Sequence, residues 1–152
     1  MPEWTNPDDA TLEALLRRAR TLAIVGASPD PARPSHQIMR RLQQGGFRTI
    51  PVRPDEGELF GERYVPALGA LPGPVDVVVV FRAPRHVPAL VDELLREAER
   101  LGRPALWLQD GVIAPEAAGR ARAAGLTVVM DDCLWRVWGR LVAPRPGRGV
   151  RA

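Results

Sequence analysis

Short apolar runs and amphipathic segments alternate along most of the chain. The apolar runs are rich in valine, leucine and isoleucine, which is typical of strands that are buried on both faces of a parallel sheet. These runs predict five strands, at 22–25, 49–52, 75–81, 105–108 and 126–130.

Apolar residues recur at helical spacing between the predicted strands. This spacing predicts helices at about 9–20, 35–44, 87–101 and 115–124, with one further helical turn near 65–68. Asp8 and Asp9 are candidate N-caps of the first helix, Ser35 is a candidate N-cap of the second, and Gly45 and Gly46 are expected to end that helix.

The alternation of strand and helix predicts the fold class and its boundaries. Right-handed crossovers between parallel strands lead to an α/β, Rossmann-like, doubly wound five-stranded sheet in a single domain. The expected strand order is 3-2-1-4-5. Residues 1–20 are predicted to form a lead-in helix and residues 21–142 the Rossmann-like domain, while the proline-, glycine- and arginine-rich residues 143–152 are predicted to be a disordered tail.

The composition excludes several classes of function. The 152-residue chain has no lysine, so its 21 basic residues are all arginines, and no Walker A or Schiff-base lysine is available. Because most of these arginines alternate with acids on predicted helices, we expect no nucleic-acid partner. The apolar runs are too short to cross a bilayer and the N-terminus lacks a secretory signal, which predicts a cytoplasmic protein with no membrane partner.

Few residues suit catalysis or metal binding. Two histidines and one cysteine form no spaced ligand cluster, so no metal site is predicted. Cys133 has no histidine beside it and is predicted to be a buried or incidental thiol. His86 is predicted to begin a helix rather than to act as a base, and no catalytic residue is assigned.

The loop after the first predicted strand is the main candidate for phosphate binding. Gly26, Ala27 and Ser28 lead towards a helix whose N-terminus faces the edge of the sheet where open α/β proteins bind ligands. Ser28 and Ser35 offer hydroxyl groups and Arg33 offers a guanidinium group. The alternative is structural: Gly26 closes a strand, Ser35 caps a helix, and the dinucleotide glycine fingerprint is absent.

The loop after the second predicted strand bears on the choice of nucleotide. Arg53 stands where an NAD-binding protein carries an acid, which argues against NAD. A guanidinium group there suits an additional ribose phosphate, either the 2′-phosphate of NADP or the 3′-phosphate of coenzyme A (CoA). The alternative is an exposed loop arginine.

The loops after the third and fourth predicted strands add an aromatic ring and further polar groups. Phe81 and Arg82 offer a flat apolar surface and a guanidinium group for an adenine or a pantetheine arm. Gln109 contributes a polar side chain and Gly111 a flexible backbone at the same edge. The alternative is that Phe81 packs in the core and does not contact a ligand.

Six ordered segments together resemble the small CoA-binding domain proteins, whose fold is that of the N-terminal domain of the succinyl-CoA synthetase α subunit. The resemblance runs from about residue 12 to residue 141. The segments are Ala-Ile-Val-Gly-Ala-Ser at 23–28 with Arg-Pro-Ser at 33–35, Pro-Val-Arg-Pro at 51–54, Leu-Phe-Gly at 59–61, Val-Asp at 75–76 leading to Phe-Arg at 81–82, Trp-Leu-Gln-Asp-Gly at 107–111, and Asp-Cys-Leu at 132–134.

The resemblance implies a binding mode. The CoA pyrophosphate is expected on the segment from Gly26 to Ser35, and the thiol is expected to point towards the loops after strands three and four. Because the family commonly has asparagine where Arg53 stands, the phosphate role of Arg53 follows from its charge alone. The predicted cofactor-binding residues are Gly26, Ala27, Ser28, Arg33, Ser35, Val52, Arg53, Pro54, Phe81, Arg82, Ala83, Gln109 and Gly111.

The expected function is that of a standalone protein that binds CoA or acyl-CoA. The resemblance implies that the synthetases act through a phosphohistidine on a further domain, so we expect a binding module without ligase activity of its own. An NADP-dependent oxidoreductase and a protein-interaction module with a vestigial nucleotide crevice are the alternatives. A small nucleotide is the expected partner, and the sequence identifies no protein partner.

Overall fold

Parallel strands and helices alternate in the computed structural model of the protein, which describes residues 4–143. A hairpin of two antiparallel strands, each of two residues, and two 3₁₀ turns, Leu68–Ala70 and Pro84–His86, lie between the main strands and helices. The helices are α1 (Asp9–Arg18), α2 (Pro34–Gln44), α3 (Val87–Glu97), α4 (Pro115–Ala123) and α5 (Leu134–Leu141). The strands are β1 (Thr21–Val25), β2 (Arg48–Val52), β3 (Glu58–Leu59), β4 (Glu62–Arg63), β5 (Val77–Val80), β6 (Ala105–Leu108) and β7 (Val128–Val129).

The main sheet is parallel and has the order β2-β1-β5-β6-β7. The predicted α/β doubly wound fold is confirmed. The predicted strand order was wrong: counted over the five strands of this sheet, the observed order is 2-1-3-4-5, whereas 3-2-1-4-5 placed the second strand inside the sheet. The third strand of the sheet, β5, pairs directly with β1.

Proline explains why β2 lies at the edge. Pro51 pairs with Ile24 of β1, and its carbonyl accepts a hydrogen bond at 2.9 Å from the N–H of Val65 on the outer side of the strand. Proline lacks a backbone donor and is therefore confined to edge strands. The four valines of β5 are fully buried and suit a strand inside the sheet.

Each face of the sheet is covered by helices. Val77 and Val79 of β5 point into a core that is shared with α1, α2 and α5. Val78 and Val80 point into the opposite core, which is shared with α3, α4 and the turn at Leu68–Ala70. This alternation along one strand is the period-two pattern of a buried sheet.

Three local predictions differ from the structure. Helix α2 begins at Pro34, with Arg33 as the N-cap residue, so the prediction of Ser35 as the cap was wrong. Proline suits the first helical position because the N–H that it lacks would have no helical partner there. Helix α5 was missed, although the apolar residues Leu134, Val137, Trp138 and Leu141 recur at helical spacing. The predicted turn near 65–68 lies at Leu68–Ala70.

The domain boundaries remain predictions. Helix α1 buries Leu12, Leu15 and Leu16 in the core beside α5, and Asp8 caps it by accepting a hydrogen bond from the N–H of Thr11. The predicted tail, apart from residue 143, lies outside the described residues. None of the helices between residues 4 and 143 is long and apolar enough to cross a membrane.

Asp76 joins the beginning of β1 to the beginning of β5. Its Oδ2 accepts hydrogen bonds from the backbone N–H groups of Arg20 at 2.8 Å and Thr21 at 2.9 Å. Its own backbone N–H donates to the carbonyl of Thr21 at 2.8 Å. One side chain therefore ties together the two strands whose pairing differs from the predicted order.

We expect Asp76→Ala to lower the free energy of unfolding by about 1–3 kcal/mol, because two backbone donors lose a charged acceptor. Urea unfolding measures this change. The control Asp92→Ala removes an exposed ion pair with Arg120, and it should change the free energy of unfolding by less than about 1 kcal/mol. Equal losses in the two variants would contradict the role given to Asp76.

Candidate functional site

The carboxyl ends of four adjacent strands are joined by backbone hydrogen bonds. The N–H of Gly26 donates to the carbonyl of Val52 at 3.1 Å, and the N–H of Phe81 donates to the carbonyl of Val25 at 2.9 Å. The N–H of Gln109 donates to the carbonyl of Val80 at 3.2 Å. The loops that follow these strands therefore start at one level along the edge of the sheet.

These loops and the start of α2 form a cleft of about 620 Å³ at the carboxyl ends of the strands. Its volume is in the range of small-molecule and cofactor sites, about 300–1,000 Å³. The cleft is lined by Gly26, Ala27, Ser28, Arg33, Pro34, Ser35, Arg53, Pro54, Asp55, Phe81, Arg82, Gln109, Asp110 and Val112.

Three of the predicted binding residues do not line this cleft. Val52 is buried in the core and its carbonyl is taken by Gly26. The carbonyl of Ala83 accepts a hydrogen bond from His86 within the turn at Pro84–His86. The N–H of Gly111 donates at 2.8 Å to the carboxylate of Asp131, which holds the loop after β6 to the loop after β7.

The structure brings together the other predicted residues: Gly26, Ala27, Ser28, Arg33, Ser35, Arg53, Pro54, Phe81, Arg82 and Gln109. Four further lining residues were not among the predicted binding residues: Pro34, Asp55, Asp110 and Val112. An acid two positions after Arg53 was the available signal for Asp55, and the pairing of the two residues is described below.

Gly26 makes the turn out of β1 possible. Its φ of +84° lies in the left-handed region that other residues rarely adopt. A Cβ atom at this position would lie 3.0 Å from Cδ of Arg82 and 3.2 Å from the carbonyl carbon of Phe81. The absence of a side chain thus lets the loops after β1 and β5 approach each other at the floor of the cleft.

The loop after β1 presents donors to the cleft. Between residues 4 and 143, we find no protein acceptor for the backbone N–H groups of Ala27 and Ser28. The Ser28 hydroxyl accepts a hydrogen bond at 3.1 Å from the N–H of Asp30, so its own hydrogen remains available. Ser35 is buried at the start of α2, where the helix dipole favours negative charge.

Each acid that lines the cleft accepts hydrogen bonds from an arginine. Arg136 of α5 makes a bidentate contact with Asp110 at 2.7 and 3.0 Å, and it reaches Asp132 at 2.8 Å. The hydrogen bond from Arg136 holds the pKa of Asp110 below its usual range. The Arg53 guanidinium lowers the pKa of Asp55 in the same way. Both acids are therefore carboxylates that are hydrogen-bonded to an arginine, and Arg136 is shared between Asp110 and Asp132.

Each of the three guanidinium nitrogens of Arg53 donates a hydrogen bond within the protein. Its Nε and Nη2 donate to the two carboxylate oxygens of Asp55, and its Nη1 donates to the carbonyl of Ala27 at 2.8 Å. The guanidinium carbon lies 5.0 Å from the centre of the Tyr64 ring. Arg53 therefore joins the loops after β1 and β2, and a phosphate at its guanidinium group would have to compete with Asp55.

Arg33 and Arg82 are the uncompensated charges of the cleft. Within the described part of the chain, neither guanidinium group has an acidic partner. Partial desolvation and the charges of Arg82 and Arg85 lower the pKa of His86 below its usual range. A cleft with paired acids and two unpaired arginines attracts anions.

Gln109 connects the cleft to α5. The side chain is 4% exposed, and its Oε1 accepts a hydrogen bond at 2.9 Å from the N–H of Leu134, the first residue of the helix. Its Nε2 donates at 3.6 Å to the sulfur of Cys133, which is buried. Cys133 thus lies in the floor behind the cleft, as a small apolar side chain that the Gln109 amide holds.

The family comparison agrees with this location. A protein family described as a CoA binding domain matches residues 20–138. The chain belongs to the CoA binding domain family. This match confirms the family resemblance inferred from the six sequence segments, and it includes every residue that lines the cleft.

Individual relatives of this CoA binding domain extend over most of its length. Protein YneT of Bacillus subtilis (strain 168) is 35% identical over 129 residues, which are 85% of this chain and 93% of YneT. The structure of cell-free ID.343 from Thermus thermophilus superposes with a TM-score of 0.78 at 39% identity, covering 89% of this chain and 99% of the other.

A larger enzyme contains a similar unit. The dinucleotide forming acetyl-coenzyme A synthetase 1 of Ca. Korarchaeum cryptofilum matches with a TM-score of 0.60 at 26% identity. The match covers 75% of this chain but 27% of the synthetase. The likeness therefore concerns one part of the larger enzyme.

Replacing Gly26 by alanine tests the close approach of the two loops. We expect Gly26→Ala to lower the free energy of unfolding by about 1–2 kcal/mol from the left-handed backbone alone, with a further loss because Arg82 and Phe81 must shift. Chemical denaturation measures the change.

Gly119 provides a matched control in α4, because a Cβ atom there meets no atom within 4 Å. Gly119→Ala should raise the free energy of unfolding by about 0.5–1 kcal/mol, since alanine favours the helix. A neutral or stabilising Gly26→Ala substitution would contradict the account of the cleft floor.

Proposed function

We propose that this protein binds CoA or acyl-CoA in the cleft of about 620 Å³, hereafter the nucleotide cleft, as a binding module without ligase activity of its own. The observation that carries the proposal is the charge pattern of the cleft, in which Asp55 and Asp110 are paired while Arg33 and Arg82 are not. The family match supports CoA over other phosphorylated ligands.

The loop after β1 is the proposed site of the pyrophosphate. The N–H groups of Ala27 and Ser28, the Ser28 hydroxyl and the start of α2 supply donors of the kind that phosphates accept. Arg33 and Arg82 stand among the lining residues of the same cleft, so charge-assisted hydrogen bonds add to these neutral ones.

Arg53 has a different role in this proposal. Because Asp55 already balances its charge, we assign to Arg53 the task of holding the Ala27 carbonyl and thereby the shape of the phosphate loop. Pro54 lines the cleft beside it, while Val52 and Gly111 act through the loops that they hold. The sequence-based alternative, in which Arg53 reads the 3′-phosphate, makes a distinguishable prediction.

We expect isothermal titration with CoA to show saturable binding and Arg82→Gln to weaken it by about 10- to 100-fold, because a charge-assisted hydrogen bond to phosphate is lost. Arg85→Gln is the matched control, since Arg85 is exposed and does not line the cleft. It should change the affinity by less than about threefold.

The same titration separates CoA from NADP. We expect an excess of NADPH to leave the CoA isotherm unchanged. Absence of CoA binding at millimolar concentration, or competition by NADPH at lower concentration than CoA, would overturn the proposal. Equal effects of Arg82→Gln and Arg85→Gln would show that the phosphates lie elsewhere.

The role of Arg53 is tested with CoA and 3′-dephospho-CoA. If Arg53 holds the loop, Arg53→Gln weakens both ligands equally, and the ratio of the two dissociation constants stays within about twofold of the wild-type ratio. Asp55→Asn should leave this ratio unchanged as well. A selective gain of CoA affinity in Asp55→Asn would instead assign the 3′-phosphate to Arg53, because that variant frees its guanidinium group.

A further inference from the structure

A second cleft, of about 550 Å³, lies beside the nucleotide cleft and shares part of its wall. Both clefts are lined by Pro34, Phe81, Gln109 and Asp110. The second cleft extends from this shared wall between α2 and α5. Its further lining residues are Ile38, Arg41, Cys133, Trp135 and Arg136.

The walls of the second cleft are chiefly apolar. Ile38 on α2, Phe81 after β5 and Trp135 on α5 are partly exposed hydrophobic residues that pack against the core on that side of the sheet. The buried sulfur of Cys133 forms part of the floor. Partly exposed apolar side chains gathered in a concave surface are typical of a site that takes an apolar group.

The charged residues that line this cleft are Arg41, Asp110 and Arg136. The Arg136 guanidinium is engaged by Asp110 and Asp132, so it adds little free charge. Arg41 is exposed on α2. Arg41, like Arg33 and Arg82, forms no ion pair in the described residues, so the second cleft is lined by one unpaired guanidinium group and the nucleotide cleft by two, together with the free donors of the loop after β1.

Gln109 lies in the wall that the two clefts share. Its Oε1 is taken by the N–H of Leu134, while its Nε2 donates one hydrogen bond, to the weak acceptor Cys133. A primary amide has two N–H donors, so one N–H of Gln109 has no protein acceptor among residues 4–143. A thioester carbonyl between a CoA arm and an acyl chain is a suitable acceptor for it.

We propose that the second cleft, hereafter the acyl cleft, takes the hydrocarbon chain of an acyl thioester whose CoA portion occupies the nucleotide cleft. The proposal rests on the function proposed above and deepens it, because it makes an apolar acyl-CoA the preferred ligand over free CoA. The adjacency of the two clefts, which share Phe81 and Gln109 as lining residues, and the apolar walls at Ile38 and Trp135 carry the inference.

Titration with CoA and with acetyl-, butyryl-, hexanoyl- and octanoyl-CoA tests it. We expect affinity to rise by about two- to fourfold for each added methylene, the upper value being that of full burial, until the cleft is filled. Hexanoyl-CoA should therefore bind at least about tenfold more tightly than acetyl-CoA. Affinities within twofold across the series, with free CoA bound, would overturn the acyl proposal and leave the proposed function standing.

Two further outcomes also decide the question. Failure of CoA and of every thioester to bind would overturn both proposals. Succinyl-CoA carries a carboxylate at the end of a chain that matches the butyryl group in length. Tighter binding of succinyl-CoA than of butyryl-CoA would overturn the assignment of an apolar group and point to Arg41.

Ile38→Asp places a charge in the wall of the acyl cleft, and Ile113→Asp is the matched control because Ile113 is exposed and lines neither cleft. We expect Ile38→Asp to remove the gain with chain length while the dissociation constant for free CoA stays within twofold. The control should keep the full gain. If Ile38→Asp does not fold, as judged by its circular dichroism and melting temperature, Trp135→Ala serves the same purpose by opening the wall. Retention of the gain in both variants at the acyl cleft would overturn the proposal.

Discussion

The pairing of β1 with β5 is the constraint on which the rest of the structure depends. It places Val25 beside Val80, so that the chain leaves both strands at the same edge, and the N–H of Phe81 bonds to the carbonyl of Val25. Gly26 then lies so close to Arg82 that a Cβ atom on Gly26 would come within 3.0 Å of Cδ of Arg82. Without this pairing, the loop after β1 and the loop that carries Arg82 would not face each other.

The distribution of charge follows from this geometry. A chain with 21 arginines and 18 acids has enough counter-charges to pair most of its arginines, and both acids of the nucleotide cleft are paired in this way. Other arginines of the described residues, such as Arg18 and Arg40, also form no ion pair; Arg33 and Arg82 differ from them because both line one cleft. Local concentration of unpaired charge, more than the net charge of the chain, determines where an anion is attracted.

Helix α5 contributes to the difference between the two neighbouring clefts. Through Arg136 it balances Asp110, and through Trp135 it adds an apolar wall next to a surface that is otherwise polar. Gln109 stands between the two environments and is itself fixed by the first turn of α5. A helix that was not predicted from the sequence thus shapes the boundary between a polar cleft and an apolar one.

The sequence by itself determined the fold class, the approximate position of every strand of the main sheet, and the loops that meet in the nucleotide cleft, because hydrophobic periodicity and glycine at Gly26 are local properties of the chain. It also contained a signal for the strand order that the prediction did not use, since Pro51 disfavours an inner strand.

Only the tertiary structure decided which arginines are available. The partners of Arg53 are Ala27, which lies far from it in the sequence, and Asp55, whose position beside Arg53 did not reveal that the two side chains pair. Likewise, Asp110 is balanced by Arg136 from another element. Ion pairs between separate elements depend on how those elements pack, and no periodicity in the chain specifies them.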